Sequence, residues 1–116
     1  ERMELKAQAI DIFKNSIILY KELALENDFE LLCVFYPTKF EISDEQFEFW
    51  DEVIEYANEN DVLSLNLLEY YLDIEMIDDR NVQDYYWKID GHHNAKGYQA
   101  FGKGVYYALK KYELID

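Results

Sequence analysis

With one cysteine, Cys33, the chain can form neither an internal disulfide nor a Cys-rich metal site. Cys33 lies in an apolar run, where a lone thiol behaves as a small buried hydrophobe. Basic residues are also scarce: 11 Lys and Arg stand against 25 Asp and Glu, a formal net charge of −14. A nucleic-acid partner is not expected of such a surface, because Lys and Arg contacts to phosphate are what release counterions. No apolar stretch approaches the roughly 20 residues of a membrane-spanning helix. Internal repeats, linkers and low-complexity tracts are absent as well. There are only two histidines and only three serines, Ser16, Ser43 and Ser64, so any hydrolytic chemistry must be sought in a short inventory.

What is present is enough for one folded domain spanning residues 1–116, half of it hydrophobic. From Glu4 to Glu26, Leu5, Ile10, Ile12, Phe13, Ile17, Leu19, Tyr20, Leu23 and Ala24 recur at three- and four-residue steps, the mark of an amphipathic helix stopped at Asn27-Asp28. "FELLCVFYP", Phe29 to Pro37, is a continuous apolar run too short for a helix. It reads as a strand near Leu31 to Tyr36, covered on both faces and ended by Pro37. Ser43-Asp44-Glu45-Gln46 has the pattern of a capping box, followed by a helix to about Asn58 with Phe47, Trp50, Val53, Ile54 and Ala57 on its apolar face. "VLSLNLL" supplies a second buried strand near Val62 to Asn66, so strand, helix and strand form a βαβ unit. A short helical turn and acidic loop follow from Glu69 to Asp79, and a closing helix from Gly97 to Tyr112 turns Phe101, Val105, Ala108 and Leu109 inward. The expected class is α/β with a parallel sheet.

Both histidines stand together in "YYWKIDGHHNAKGYQAFGKG", Tyr85 to Gly104, two residues after Asp90 and just before the closing helix. In open α/β sheets ligands collect beyond the carboxyl ends of the strands, an edge this loop can reach. An Asp-x-His-His cluster offers zinc-type ligands, but three ligands within four residues rarely surround one ion, and no distant histidine is available to complete a set. The alternative is a solvated loop and helix cap.

The residues Asp90, His92, Asn94 and Gly97 also match the spacing of a known motif. Here the chain resembles the C-terminal block of SGNH (GDSL-type) hydrolases and acyl esterases, in which Asp-x-His is followed by Asn two residues after the His and Gly five after it. The "FELLCVFYPTKFE" stretch looks like that family's penultimate strand with its Pro-Thr-Lys exit, and "VLSLNLLEYY" resembles the strand that usually ends in Asp-Leu, with Asn66 in place of the Asp. The likeness runs from Phe29 to Leu109. It implies a three-layer α/β/α, flavodoxin-like parallel sheet. It also implies His92 as general base and Asp90 as the carboxylate that orients it, the chemistry of a Ser-His-Asp triad, with no cofactor and no metal. The longer Asp-x-x-His spacing would select His93 instead. Asn94 is expected to cap the closing helix, and Gly97 to let it pack closely.

The nucleophile is missing. Ser16 lies inside a helical pattern, Ser43 reads as a cap and Ser64 is within a strand, and none occupies a strand-to-helix elbow. Cys33, buried mid-strand, is no better. The opening at Glu1, inside a helical pattern, leads to the expectation that these residues are the C-terminal portion of a longer SGNH-like domain. The functional expectation is thus half of a serine esterase or O-acyltransferase acting on an acyl ester or acetylated carbohydrate, the chain itself being inactive. The competing class is a non-catalytic acidic module for binding or assembly. Tyr70, Tyr71, Tyr85, Tyr86 and Trp87 flank the loop, either as a sugar platform or as packing. A two-strand piece, exposing a sheet edge and apolar helix faces, is also expected to self-associate.

Overall fold

Twenty-six residues of unbroken helical pattern form α1 (Arg2–Asn27), and the computed structural model, which describes all 116 residues, ends it at Asp28 in the left-handed conformation, its N–H bonded to Ala24 O. β1 (Leu32–Phe35) ends two residues before Pro37, and α2 (Lys39–Asp44), α3 (Trp50–Glu59), β2 (Leu63–Asn66) and α4 (Leu67–Asp73) follow. A 3-10 turn (Val82–Asp84) and α5 (Ala95–Lys111) complete the order. β1 and β2 pair as a two-stranded parallel sheet, giving a mixed α/β chain that is mostly helical. No helix is long and apolar enough to cross a membrane.

The chain divides into two compact units, and the boundary falls within both strands. The first comprises Glu1–Cys33 and Phe49–Ser64. Here α1 packs on α3, with Ile10, Ile17 and Ala24 buried on one helix and Val53, Ile54 and Ala57 on the other. Phe13 meets Trp50 edge-on, ring centroids 4.5 Å apart, and Lys14 reaches Glu52 at 2.7 Å. The broad apolar face expected of α1 is covered only along this line: Leu5, Ile12, Leu19, Tyr20 and Leu23 remain exposed.

The second unit comprises Val34–Glu48 and Leu65–Asp116, with Ile42, Leu67, Tyr71 and Ile77 fully buried at its centre. The helix expected from Ser43 to Asn58 is in fact two. Thr38, not Ser43, is the cap: its hydroxyl accepts the Glu41 N–H while the Glu41 carboxylate accepts the Thr38 N–H, the reciprocal box that starts α2. Ser43 then falls in the last turn, and Glu45, at φ 55°, turns the chain left-handed so that Phe47 can enter the core. Glu41 also accepts the Glu48 N–H at 2.7 Å, fixing the connection before α3 begins.

Two other expectations shift for packing reasons. The strands are shorter than their apolar runs and only partly covered, since in a sheet of two each strand is an edge. On α5 the fully buried line is Gly97, Ala100, Gly104 and Ala108, with Phe101, Val105 and Leu109 half-buried beside it. Small residues prevail there because α4 lies close: a Cβ on Gly104 would come within 2.5 Å of Leu67 Cδ1.

Candidate functional site

The loop before α5 is held by backbone pairing. Tyr86 and His93 form an isolated antiparallel bridge, flanked by Trp87 N–H to His92 O at 2.9 Å and Asn94 N–H to Tyr85 O at 3.0 Å. In an extended segment, successive side chains point to opposite faces. The two adjacent histidines are therefore separated by the backbone itself.

His93 turns inward and is 5 % exposed. Its Nε2 lies 2.8 Å from the Tyr71 hydroxyl, and the rings of Tyr36, Tyr86, Tyr98 and Phe101 surround it. Burial lowers its pKa below the usual histidine value, and the nearby His92 acts in the same direction, so the neutral ring is favoured. Tyr71 is held as the phenol because burial pushes its pKa strongly upward. A ring already bonded and enclosed in this way is a structural polar anchor in an aromatic core.

His92 turns outward. Its Nδ1 lies 3.2 Å from Asp90 Oδ1, and both side chains are largely solvent-exposed. The same carboxylate oxygen accepts the His92 backbone N–H at 3.0 Å, an Asx-type turn closed within three residues. That backbone hydrogen bond is the main reason the Asp90 carboxyl is held below its ordinary pKa, with the His92 ring contributing. Asp90 is thus kept ionised 3.2 Å from Nδ1 of His92.

Neighbouring segments fix the loop from two sides. Asn94 caps α5 through Oδ1, which accepts the Gly97 N–H at 3.0 Å, while its amide donates to Asp84 O at 2.8 Å. Gly97 is obligatory: a Cβ there would stand 2.1 Å from Tyr85 O and about 3 Å from the His93 ring. From the exit of β1, Lys39 Nζ donates to Lys88 O at 3.2 Å, and Pro37 O accepts the Tyr86 hydroxyl at 2.9 Å. Lys39 also contributes to lowering the Asp90 pKa.

An open groove of about 630 Å³ runs along the loop, lined by Gln83, Asp84, Tyr86, Trp87, Lys88, Ile89, Asp90 and Asn94. Trp87 and Ile89 are exposed at its rim. His92 is not part of this lining; the groove meets the pair through Asp90. Of the aromatic residues flanking the loop, Tyr71 and Tyr86 are core, and Trp87 is the one presented to solvent.

Neither the three serines nor Cys33 is hydrogen-bonded to His92. Ser16 donates to Ile12 O within α1, Ser43 lies in α2, and Ser64 is buried and donates to Asn58 Oδ1 at 2.9 Å. Cys33 is half-buried, and desolvation raises its pKa, which disfavours the thiolate. No three His, Cys, Asp or Glu side chains gather where they could hold a metal ion. Sequence reasoning did not identify Tyr71 as the partner of His93 or Lys39 as a support of the loop. The available signal was the Pro-Thr-Lys exit, which returns to the same loop. Comparison with protein-family models, with curated proteins and with solved structures gave no match.

Proposed function

We propose that Asp90 and His92 are the orienting carboxylate and general base of a Ser-His-Asp triad, and that the chain is the C-terminal portion of an SGNH-type serine esterase or O-acyltransferase. The observation that carries this reading is the 3.2 Å contact between Asp90 Oδ1 and His92 Nδ1 on a solvent-facing loop. In such a triad the carboxylate keeps Nδ1 protonated and steadies the imidazolium that forms when Nε2 takes the serine proton. The serine comes from outside these 116 residues, on a three-layer α/β/α sheet of flavodoxin-like order to which β1 and β2 contribute. The substrate is an acyl ester, with an acetylated carbohydrate as the preferred class: Trp87, exposed beside the polar side chains of Gln83, Asp84 and Asn94, offers a ring face to a sugar.

The test is active-site labelling. A fluorophosphonate should modify one serine of the full-length protein, outside residues 1–116, and labelling should fall at least roughly a hundredfold in His92→Ala. The isolated chain should give no acyl burst with p-nitrophenyl acetate. That neither a serine of this chain nor Cys33 is bonded to His92 also favours a second reading, a non-catalytic binding module. Failure of the full-length protein to label, with normal folding, would select it.

A further inference from the structure

One stripe of α1 is apolar yet faces solvent. Leu5, Ala9, Ile12, Ser16, Leu19 and Leu23 follow one another at alternating steps of four and three, the spacing of a two-helix seam. Leu5, Ile12, Leu19 and Leu23 are 65, 62, 59 and 47 % exposed, while the contact with α3 uses a different line, Ile10, Ile17 and Ala24. Ser16 adds no unmet polar group, since its hydroxyl is bonded to Ile12 O at 2.9 Å. The seam carries no charge from Leu5 to Leu23, in a chain of net charge −14.

We propose that this seam docks a second copy of itself, antiparallel, in a two-fold dimer centred at the level of residue 14. The sequence is self-complementary about that point. Leu5 meets the partner's Leu23, the small Ala9 meets the partner's Leu19, and Ile12 meets the partner's Ser16, so a large side chain stands opposite a small one in the two inner pairings and two leucines meet in the outer one. A two-fold axis repeats each pairing in the opposite sense. Continuing the same spacing outward by one step at each end reaches Arg2 and Glu26. The antiparallel register sets Arg2 level with the partner's Glu26 at both ends. A parallel pair would set Arg2 against Arg2 and Glu26 against Glu26, so charge selects the antiparallel arrangement. The occupant is accordingly another copy of α1 and not an unrelated helix.

The test is sedimentation equilibrium on the 116-residue chain. The wild type should be a dimer, and the doubly substituted Ile12→Glu/Leu19→Glu chain a monomer, with dimerisation weakened roughly a hundredfold or more. Both positions are exposed, so circular dichroism should be unchanged, and melting should match the wild type at concentrations low enough for the wild type to be monomeric. Arg2→Glu alone, or Glu26→Arg alone, should weaken dimerisation by about fivefold, and the two together should restore it. A wild-type monomer at millimolar concentration overturns the proposal, as does a dimer insensitive to Ile12→Glu/Leu19→Glu. Single charge reversals without effect overturn the antiparallel register.

Discussion

The Nε2 of His93 lies 2.8 Å from the Tyr71 hydroxyl, inside an aromatic shell, while the next residue toward the N-terminus, His92, stands in solvent against Asp90. Adjacent histidines thus have unlike environments because the bridge between Tyr86 and His93 sends neighbouring side chains to opposite faces. One histidine is enclosed in the core, and the other is presented to solvent beside a carboxylate.

Stability should report this division. Tyr71→Phe leaves the buried Nε2 of His93 without its partner and should cost about 1–3 kcal/mol. His92→Ala, at an exposed position, should stay within about 0.5 kcal/mol of wild type. Urea denaturation of the two variants measures both, and equal costs would contradict the assignment.

Acid should destabilise the fold through His93. Its folded pKa lies below the ordinary value near 6.5, so the unfolded chain binds the proton more readily. The contribution is therefore fully present above about pH 6.5 and is lost progressively as pH falls from there toward the folded pKa. Urea midpoints of wild type and His93→Gln should converge as the pH is lowered through this window. A wild-type advantage that grows on acidification would show that the buried ring is charged.

Gly97→Ala should separate the loop from α5. The added methyl meets a backbone carbonyl, Tyr85 O, and the His93 ring, neither of which is a flexible chain end. A loss of roughly 1–3 kcal/mol is expected, with altered aromatic circular dichroism from the displaced shell. Gly91→Ala, where nothing lies within 4 Å, is the control and should be close to neutral.

Removing the helix cap should act more mildly. Asn94→Ala takes away the acceptor for Gly97 N–H and the donor to Asp84 O, and should cost about 1 kcal/mol by the same urea measurement. Asn94→Asp keeps the acceptor and should recover most of that loss.

The parallel pairing of the two strands, the stop at Asp28 and the cap at Asn94 were legible in the sequence, because each is dictated by local chemistry: apolar runs, left-handed turn formers and a short side-chain acceptor. The break between α2 and α3 was not. It depends on Thr38 and Glu41 capping each other and on Phe47 being drawn into the core, and the Ser43 to Gln46 pattern competed as a more conventional start. Exposed apolar helix faces were expected, but which line of α1 stays uncovered was hidden, since periodicity marks which residues are apolar and not which of them another element covers. For the loop, the spacing of Asp90 and His92 was readable and the burial of His93 was not, because it follows from the bridge to Tyr86 and the distant Tyr71.

The central claim, that His92 and not its neighbour is the catalytic base, is tested most directly by ester-hydrolysis kinetics of the full-length protein carrying His92→Ala or His93→Gln. The account predicts that His92→Ala lowers kcat/KM by about 10⁴-fold with an unchanged melting temperature, the cost of losing a triad member. His93→Gln should lower the melting temperature and leave kcat/KM within about tenfold of wild type when assayed well below it. The reverse order, or full activity in His92→Ala, would contradict the claim.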